Sequence, residues 1–323
     1  MSILEARGLT VRYGAGARAL TAVEDVDLAL QRGRTLGLVG ESGCGKSTVA
    51  RALVGLVPIV AGRVTLDGAD CTSQAARNSA RYRRRVQMVF QDPFSSLNPR
   101  MSVGTLLDEA LQARGGEFRS RRRRMAESAH LLELVGLPSD ALSRYPHQFS
   151  GGQRQRIAIG RALAVGADVL ILDEVTSALD VSVQATVLNL LQDLQRHLSL
   201  SYLFISHDLS VVRLMSDEVL VMYLGRVVEH ADTEDLFTRP CHPYTVALLK
   251  SIPSLRGRRE PAPLSGDPPD PRHPPAGCRF HTRCPVGPLA RPERTRCLEL
   301  HPRLAPEAGH HQVACHFAEA SPR

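Results

Sequence analysis

The sequence has 323 residues, of which 43% are hydrophobic, enough for one large globular domain or two smaller ones. No run approaches the ~20 apolar residues of a membrane-spanning helix, and the first residues lack the basic-then-apolar layout of a secretion signal. The formal net charge of +7 permits contact with nucleic acid or a membrane surface without requiring either. We therefore expect a cytosolic protein whose contact with any membrane is peripheral.

The first part of the chain carries strand patterns interrupted by one helix. Residues 1–30 alternate as strands do, and the apolar run Thr35–Val39 precedes a glycine-rich loop, after which helical spacing begins. Residues 62–70 indicate a hairpin with its turn at Asp67-Gly68. Residues 85–90 indicate another strand.

Helical spacing replaces strand patterns from about residue 93 to 150, and residues 151–165 also indicate a helix. Short apolar runs at 169–172 and 202–205 predict buried strands, and an amphipathic helix lies between them. Strands that alternate with helices predict an α/β fold with a mostly parallel sheet, interrupted by an all-helical insert. We expect the arginine runs at 77–85 and 119–124 to be solvated helix faces.

The last part of the chain differs in composition. Thirteen of the 21 prolines lie in residues 256–323, so long helices are excluded there. We predict a linker followed by a small irregular module that contains four cysteines. Clustered cysteines in a cytosolic protein are more often metal ligands or redox groups than structural disulfides.

Residues 40–48, GESGCGKST, match the phosphate-binding pattern GxxxxGK[ST] between a strand and a helix. The glycines let backbone N–H groups converge on phosphate oxygens at a helix N-terminus. Lys46 is one of only two lysines among 40 basic residues, which indicates a need for a compact ammonium group. Lys46 would reach the β- and γ-phosphates of ATP, and Ser47 would bind Mg²⁺. The residues predicted to bind ATP here are Gly40, Ser42, Gly43, Cys44, Gly45, Lys46, Ser47 and Thr48.

Asp173 and Glu174 directly follow the apolar run VLIL. Ligands of open α/β sheets bind at the carboxyl ends of strands. Asp173 is therefore a predicted Mg²⁺ ligand, and Glu174 is the predicted general base that polarises the attacking water. An isolated pair of this kind is usually an ordinary helix cap, but here it lies downstream of a phosphate loop.

The sequence FSGGQ followed by RQRIAIGRAL resembles the signature motif of ABC ATPases, with Phe149 at a position where leucine is usual. Hydroxyl and N–H groups at this helix start suit a γ-phosphate. A second phosphate-binding surface in one chain implies, in this family, a head-to-tail dimer in which each signature faces the partner's phosphate loop. The predicted nucleotide contacts are Ser150, Gly151, Gly152 and Gln153.

Further landmarks of the family follow in its order, over about residues 3–255. The resemblance implies that Tyr13 stacks on adenine, that Gln91 senses Mg²⁺, that Asp180 lies in the loop crossing the dimer interface, and that His207 contacts the γ-phosphate. Val175 stands where the family usually has proline.

The resemblance also implies the domain organisation. It predicts a RecA-like P-loop NTPase core at 1–92 and 151–255, which includes an N-terminal antiparallel β subdomain. A helical signature subdomain would occupy 93–150, and a small cysteine-rich extension 256–323.

Three further segments, NPRMS, RYPHQFSGGQ and HPYTVALLKSIP, resemble the oligopeptide, dipeptide and nickel importer ATPases. This branch implies ATP-driven uptake, here of peptides, at the cytoplasmic face of the inner membrane. The implied partners are two transmembrane permease subunits, an extracytoplasmic substrate-binding protein, and either a second, different ATPase or a copy of this chain. We predict no nucleic-acid partner. The alternatives are a non-transport ABC ATPase acting on nucleic acid or the ribosome, and a regulatory nucleotide-binding module.

The resemblance extends to GCRFHTRCP and VACHF, and implies a 4Fe–4S cluster on Cys278, Cys284, Cys297 and Cys315. Their spacing does not match the tight spacings of ferredoxins. Zinc, reduced thiols in a packed module, and disulfides therefore remain open.

Overall fold

A computed structural model of the chain describes residues 1–14, 16, 19–92, 97–251, 266–308 and 310–318. The first part of the predicted linker, 256–265, and residues 93–96 of the predicted helical insert lie outside them. The chain packs into two units. The first unit contains 1–4, 30–35 and 66–204, and the second contains 5–29, 36–65 and 205–323.

Strands and helices alternate through most of the described chain. The strands are β1 Ser2–Tyr13, β2 Leu20–Gln31, β3 Thr35–Val39, β4 Ala61–Leu66, β5 Ala69–Asp70, β6 Val86–Val89, β7 Val169–Asp173, β8 Ser201–Ile205, β9 Glu218–Tyr223, β10 Arg226–Asp232, β11 Ala305–Ala308 and β12 His311–Val313. The α-helices are α1 Lys46–Leu53, α2 Gln74–Arg77, α3 Ala80–Arg85, α4 Val103–Arg114, α5 Arg121–Leu134, α6 Gly151–Ala164, α7 Val181–Leu198, α8 Leu209–Met215, α9 Thr233–Thr238, α10 Pro243–Lys250 and α11 Arg296–Glu299.

The first unit is built on the neighbouring strands β8, β7 and β6. β6 and β7 are parallel, with Val86 opposite Val169 and Val89 opposite Leu172. Every residue of β7 is buried, as expected for a parallel strand covered on both faces. The apolar run therefore places Asp173 and Glu174 at the carboxyl end of a buried strand.

Residues 97–150 of the first unit contain helices and no strands, as their spacing predicted. α4 packs against α5 and α6, and Leu107, Leu111 and Leu132 are completely buried. The hydroxyl of Ser102 caps α4 by accepting a hydrogen bond from the Thr105 N–H at 3.3 Å. This helical segment precedes α6, the helix that begins at the signature motif.

The expectation that the arginine runs are solvated is wrong at two positions. Arg77 is 0% exposed, and its guanidinium donates to the carbonyls of Cys71 and Thr72. Arg124 bonds the carboxylate of Asp108 at 2.6 Å and donates to two loop carbonyls. A guanidinium has five donors, so it can hold a turn together, and the sequence does not distinguish this use from a solvated surface.

The second unit contains the β2-β1-β4 part of an antiparallel N-terminal sheet, and a second group of strands in the order β11-β12-β10-β9-β3. β3 pairs in parallel with β9, and β10 runs antiparallel to both β9 and β12. The strands β11 and β12 were not predicted. They have only four and three residues, too few to show alternation.

The predicted turn at Asp67-Gly68 is present. Both residues have positive φ, 48° and 76°, as a two-residue hairpin turn requires. None of the helices in the described part of the chain has the length and apolar character needed to cross a bilayer.

Candidate nucleotide site

The phosphate loop joins β3 to α1 within the second unit. Gly40 and Gly45 have φ of 151° and 111°, which side-chain-bearing residues rarely adopt. A Cβ on Gly40 would lie 2.2 Å from the carbonyl oxygen of Met222, and a Cβ on Gly45 would lie 2.5 Å from that of Ala22. Only glycine fits at these two positions, so the loop keeps the shape that directs its N–H groups towards an anion.

Lys46 is the first residue of α1 and is 5% exposed. Its ammonium donates to the carbonyls of Gly40 at 2.8 Å and Glu41 at 2.9 Å. It therefore lies inside the curve of the loop, where a phosphate would meet both the cation and the helix N-terminus.

The Cys44 thiol is buried beneath the loop, and burial raises its pKa. Any contribution of Cys44 to ATP binding therefore comes from its backbone. Ser42 and Gly43 are exposed, and Ser47 and Thr48 are half-buried in the first turn of α1.

Tyr13 and His207 also belong to the second unit. Tyr13 ends β1, and its hydroxyl is 3.5 Å from that of Thr48. His207 is exposed and follows β8. Asp208 beside it caps α8 by accepting from the N–H groups of Ser210 and Val211 at 2.9 and 3.3 Å. These bonds fix the backbone that carries the His207 side chain.

Asp173, Glu174 and Gln91 belong to the first unit. Glu174 has φ of 49°, an uncommon conformation for a side-chain-bearing residue that is often found at functional sites. The Gln91 amide donates to Glu174 Oε2 at 3.0 Å and to Ser177 Oγ at 3.4 Å. The Ser177 hydroxyl in turn donates to the Glu174 carbonyl at 3.0 Å.

These contacts make a network in which two side chains, those of Gln91 and Ser177, hold the predicted general base. The sequence predicted roles for Gln91 and Glu174 but none for Ser177. The available signal for Ser177 was its position at the start of the segment Ser-Ala-Leu-Asp, three residues after Glu174. Val175 is 2% exposed and packs into the core where the family usually has proline.

The signature motif starts α6 in the first unit. Ser150 is exposed and forms a capping box with Gln153. Its Oγ accepts from the Gln153 N–H at 3.3 Å, and its own N–H donates to Gln153 Oε1 at 3.0 Å. Gly152 is needed for packing, because a Cβ there would lie 2.1 Å from Val183 Cγ1. Ser150 faces outward, as binding to a second subunit's nucleotide would require.

Asp180 caps α7, the helix that packs against α6. Its Oδ1 accepts from the Val183 N–H at 3.0 Å and the Ser182 hydroxyl at 2.9 Å. These hydrogen bonds lower the pKa of Asp180. The structure thus gives Asp180 a local role as a helix cap, independent of any contact across a dimer.

Cys278, Cys284, Cys297 and Cys315 are all free thiols in the second unit. Burial, with the other three thiols adding to it, raises the pKa of Cys278 to about 12. Burial likewise raises the pKa of Cys315 to about 11. The four side chains are therefore near one another and carry protons at neutral pH unless a metal displaces them.

A different group meets at β10. Glu229, Cys241 and His311 are buried, and one ligand atom from each lies within 4.8 Å of the others. The Glu229 carboxylate accepts from the Cys241 N–H and His311 Nε2, both at 2.7 Å, and from the His242 N–H at 3.0 Å. Because both carboxylate oxygens already accept protein hydrogen bonds, this group ties β12 and the HPYT segment to β10. The sequence showed no local sign of it.

Two family models match the chain. The ABC transporter model matches residues 23–177, and the model of the oligopeptide/dipeptide transporter C-terminal region matches residues 228–288. A putative peptide import ATP-binding protein of Brucella ovis is 50% identical over 286 residues, covering 88% of this chain and 90% of the relative. The oligopeptide transport ATP-binding protein AppF of Bacillus subtilis is 47% identical over 301 residues, covering 92% and 89%.

Solved structures show the same fold. CbiO1 of Clostridium perfringens, part of the ABC transporter complex cbiONQ, has a TM-score of 0.64 and 25% identity over 73% of this chain and 90% of its own. The ATP-binding cassette MJ0796, in a dimeric post-hydrolysis state with ADP and Pi, has a TM-score of 0.62 and 24% identity over 71% and 98%. The relatives at 47–50% identity and the matched C-terminal region show that the chain belongs to the ABC transporter ATP-binding proteins, in the branch with the oligopeptide/dipeptide transporter C-terminal region.

Proposed function

We propose that this chain is the ATP-hydrolysing subunit of an importer that takes up peptides. The observation that carries the hydrolytic part is the network in which Gln91 and Ser177 hold Glu174, next to the buried Asp173. The names of the Brucella and Bacillus relatives and the matched C-terminal region support peptides as the cargo.

In the proposed mechanism, Lys46 and the loop N–H groups bind the β- and γ-phosphates of ATP, and Tyr13 stacks on the adenine. Ser47, Asp173 and Gln91 would hold Mg²⁺, which neutralises phosphate charge when bound. These oxygen ligands are of the type Mg²⁺ prefers. Glu174 accepts a proton from the attacking water, and His207 contacts the γ-phosphate. Positioning and charge stabilisation provide most of the rate enhancement.

We further propose that two ATPase subunits clamp ATP head to tail. The exposed Ser150, at the start of α6, supports this arrangement because its helix N-terminus is accessible to a second subunit's nucleotide. The second subunit is a copy of this chain or a different ATPase. Closure would act on two permease subunits through the helices of residues 97–150. The chain would lie peripherally at the cytoplasmic face of the membrane, and an extracytoplasmic protein would deliver the peptide.

The transport function is tested in cells whose chromosomal copy of this gene is deleted and which carry a plasmid encoding either the wild-type chain or a variant. Wild type should restore uptake of labelled di- and oligopeptides, and Glu174→Gln should not. Glu133→Gln, an exposed glutamate of α5, is the matched control and should restore uptake. Normal peptide uptake without the gene, together with salt-dependent nucleic-acid binding by the purified chain, would favour the non-transport alternative.

We also propose that Cys278, Cys284, Cys297 and Cys315 hold an iron–sulfur cluster. Four free thiols in one module fit such a group. The other three thiols also contribute to the raised pKa of Cys278, so the four side chains lie in one group.

Iron, sulfide and zinc analysis of the anaerobically purified chain tests the cluster. We expect iron and sulfide with visible absorption, lost in Cys278→Ser and kept in the control Cys71→Ser. Stoichiometric zinc without sulfide, or metal-free protein from iron-replete cells, would contradict the proposal.

A further inference from the structure

Glu41, the second residue of the phosphate loop, is held through its backbone and its side chain. Its carbonyl accepts from Lys46 Nζ at 2.9 Å, and its N–H donates to the hydroxyl of Tyr244 at 2.8 Å. Its carboxylate accepts two hydrogen bonds from Arg283, from Nη1 at 2.8 Å and from Nη2 at 3.0 Å. Two of these three residues come from the C-terminal part of the chain.

Arg283 has a well-defined environment. Its side chain is 4% exposed, and its guanidinium lies 5.9 Å from the ring centre of Tyr223 and 3.4 Å from the Tyr223 hydroxyl. The hydrogen bonds to Glu41 and Tyr223 raise its pKa. A two-pronged contact with a carboxylate needs the planar fork of arginine. Arg283 is therefore a charged partner placed specifically for Glu41.

An aromatic cluster holds the two residues, Tyr244 and Arg283, that contact Glu41 from the C-terminal part of the chain. Tyr244 is 4.7 Å from Tyr223 and 5.4 Å from Phe280, measured between ring centres, and Phe280 is 5.2 Å from Tyr223. Tyr244 and Phe280 are at most 1% exposed. Because Phe280 precedes Arg283 by three residues, packing of its ring also limits where the guanidinium can lie.

The contact between Arg283 and Glu41 changes the charge of the phosphate loop. A phosphate loop collects N–H groups and a lysine to bind a polyanion. The Glu41 carboxylate, next to Gly40, places a negative charge in that loop, and this charge would oppose the binding of a triphosphate. Arg283 is the opposing charge that hydrogen-bonds this carboxylate, whereas the Lys46 ammonium donates to the carbonyl oxygens of Gly40 and Glu41 and lies 3.9 Å from the Cys44 sulfur.

We propose that Arg283 is a positioning residue for ATP binding, which neutralises Glu41 and holds the first turn of the phosphate loop. Arg283 lies next to Cys284, so the cysteine-rich extension acts on ATP affinity through this ion pair. This inference rests on the proposed role of residues 40–48 in binding ATP. Arg283 has no contact with substrate in this role and acts only through Glu41.

A double-mutant cycle tests the inference. The dissociation constant of a fluorescent ATP analogue and the KM and kcat for ATP are measured for wild type, R283Q, E41Q and the double variant, at low and high salt. R283Q should raise the dissociation constant and KM about tenfold, the effect of ~1.4 kcal/mol of lost charge compensation. kcat should change much less. In the E41Q background, R283Q should have a much smaller effect, because no carboxylate remains to be neutralised.

Controls separate electrostatics from folding. Arg291→Gln removes an exposed arginine of the same extension and should leave ATP affinity unchanged. Arg283→Lys retains the charge without the fork and should recover part of the affinity. If R283Q does not fold, E41Q and the double variant still test the inference: the double variant, which leaves no unpaired charge at position 41, should bind the analogue nearly as E41Q does, and a large further loss of affinity would contradict the inference.

Two results would overturn the inference. One is an R283Q variant that binds the analogue as wild type does. The other is an equally large effect of R283Q with and without the Glu41 carboxylate, since that would show a purely structural role. A wild-type chain that binds no ATP analogue would instead contradict the proposed function.

Discussion

The amide of Gln91 donates to the carboxylate of Glu174 at 3.0 Å, between residues 83 positions apart in the sequence. The contact joins the segment after β6 to the residue after β7, so two neighbouring parallel strands present their carboxyl ends together. A glutamate with positive φ is held by side chains on two sides, by Gln91 and by Ser177. This is the arrangement expected of a base that must meet one water molecule in one orientation.

Glu174→Gln should lower the ATPase rate by roughly 10²–10⁴-fold, the usual contribution of a general base. ATP binding should remain, because the amide has nearly the shape of the carboxylate. Phosphate release and equilibrium binding of ATP measure the two effects separately. Glu133→Gln is the control, and a comparable loss of hydrolysis there would contradict a specific role for Glu174.

Lys46→Arg should weaken ATP binding by about 10- to 150-fold, the cost of losing a charge-assisted hydrogen bond of ~1.5–3 kcal/mol. The ammonium is enclosed by the carbonyls of Gly40 and Glu41, and a planar guanidinium does not fit that space. Lys250→Arg changes the other lysine of the chain, which is exposed. Binding isotherms for ATP should show no change in this control, and equal weakening in both variants would contradict the prediction.

Ser150→Asp and Ser150→Ala should separate capping from function. Aspartate is a good N-cap, so Ser150→Asp should keep the stability of α6, whereas Ser150→Ala should lose about 1 kcal/mol. The aspartate charge would repel a partner's γ-phosphate, so ATP-dependent dimerisation and hydrolysis should fall more in Ser150→Asp than in Ser150→Ala. Thermal unfolding, light scattering with ATP and ATPase rates measure these effects. If activity followed stability alone, the dimer proposal would fail.

His242 should make the chain sensitive to acid. Burial lowers its pKa from the ordinary value of 6.5 to about 4, although Glu229 acts in the opposite direction. The folded chain thus favours neutral His242, while the unfolded chain binds a proton near pH 6.5. Stability from this group is complete above pH 6.5 and is lost as the pH falls towards 4.

Urea unfolding between pH 7.5 and 4.5 measures this dependence. His242→Asn keeps a side chain that can accept from the Tyr244 N–H, as His242 Nδ1 does at 3.0 Å, but removes the titrating ring. Its unfolding midpoint should fall less steeply with acid than that of wild type. His130→Asn, at an exposed position, should keep the wild-type slope. Identical slopes in all three proteins would rule out His242 as the sensor.

Local patterns predicted β7, α6 and the hairpin turn because the residues that cause these elements are neighbours in sequence. Apolar runs, capping residues and glycine each leave such a mark. The contacts of Arg283 with Glu41 and of His311 with Glu229 join residues 242 and 82 positions apart. No local pattern indicates which of 38 arginines meets which carboxylate. Buried Arg77 was mistaken for a surface residue for the same reason.

The hydrogen bonds that Tyr244 and Arg283 make with Glu41 also have a consequence during synthesis of the chain. A ribosome releases the phosphate loop long before Tyr244 and Arg283, which follow Glu41 by 203 and 242 residues. Until both residues have emerged, the first turn of the loop lacks the hydrogen bonds with Tyr244 and Arg283, and the Glu41 carboxylate does not yet have Arg283 beside it. A nascent or C-terminally truncated chain would thus hold ATP weakly. If Arg283 neutralises Glu41 as proposed, full nucleotide affinity is reached only after residue 283 has left the ribosome.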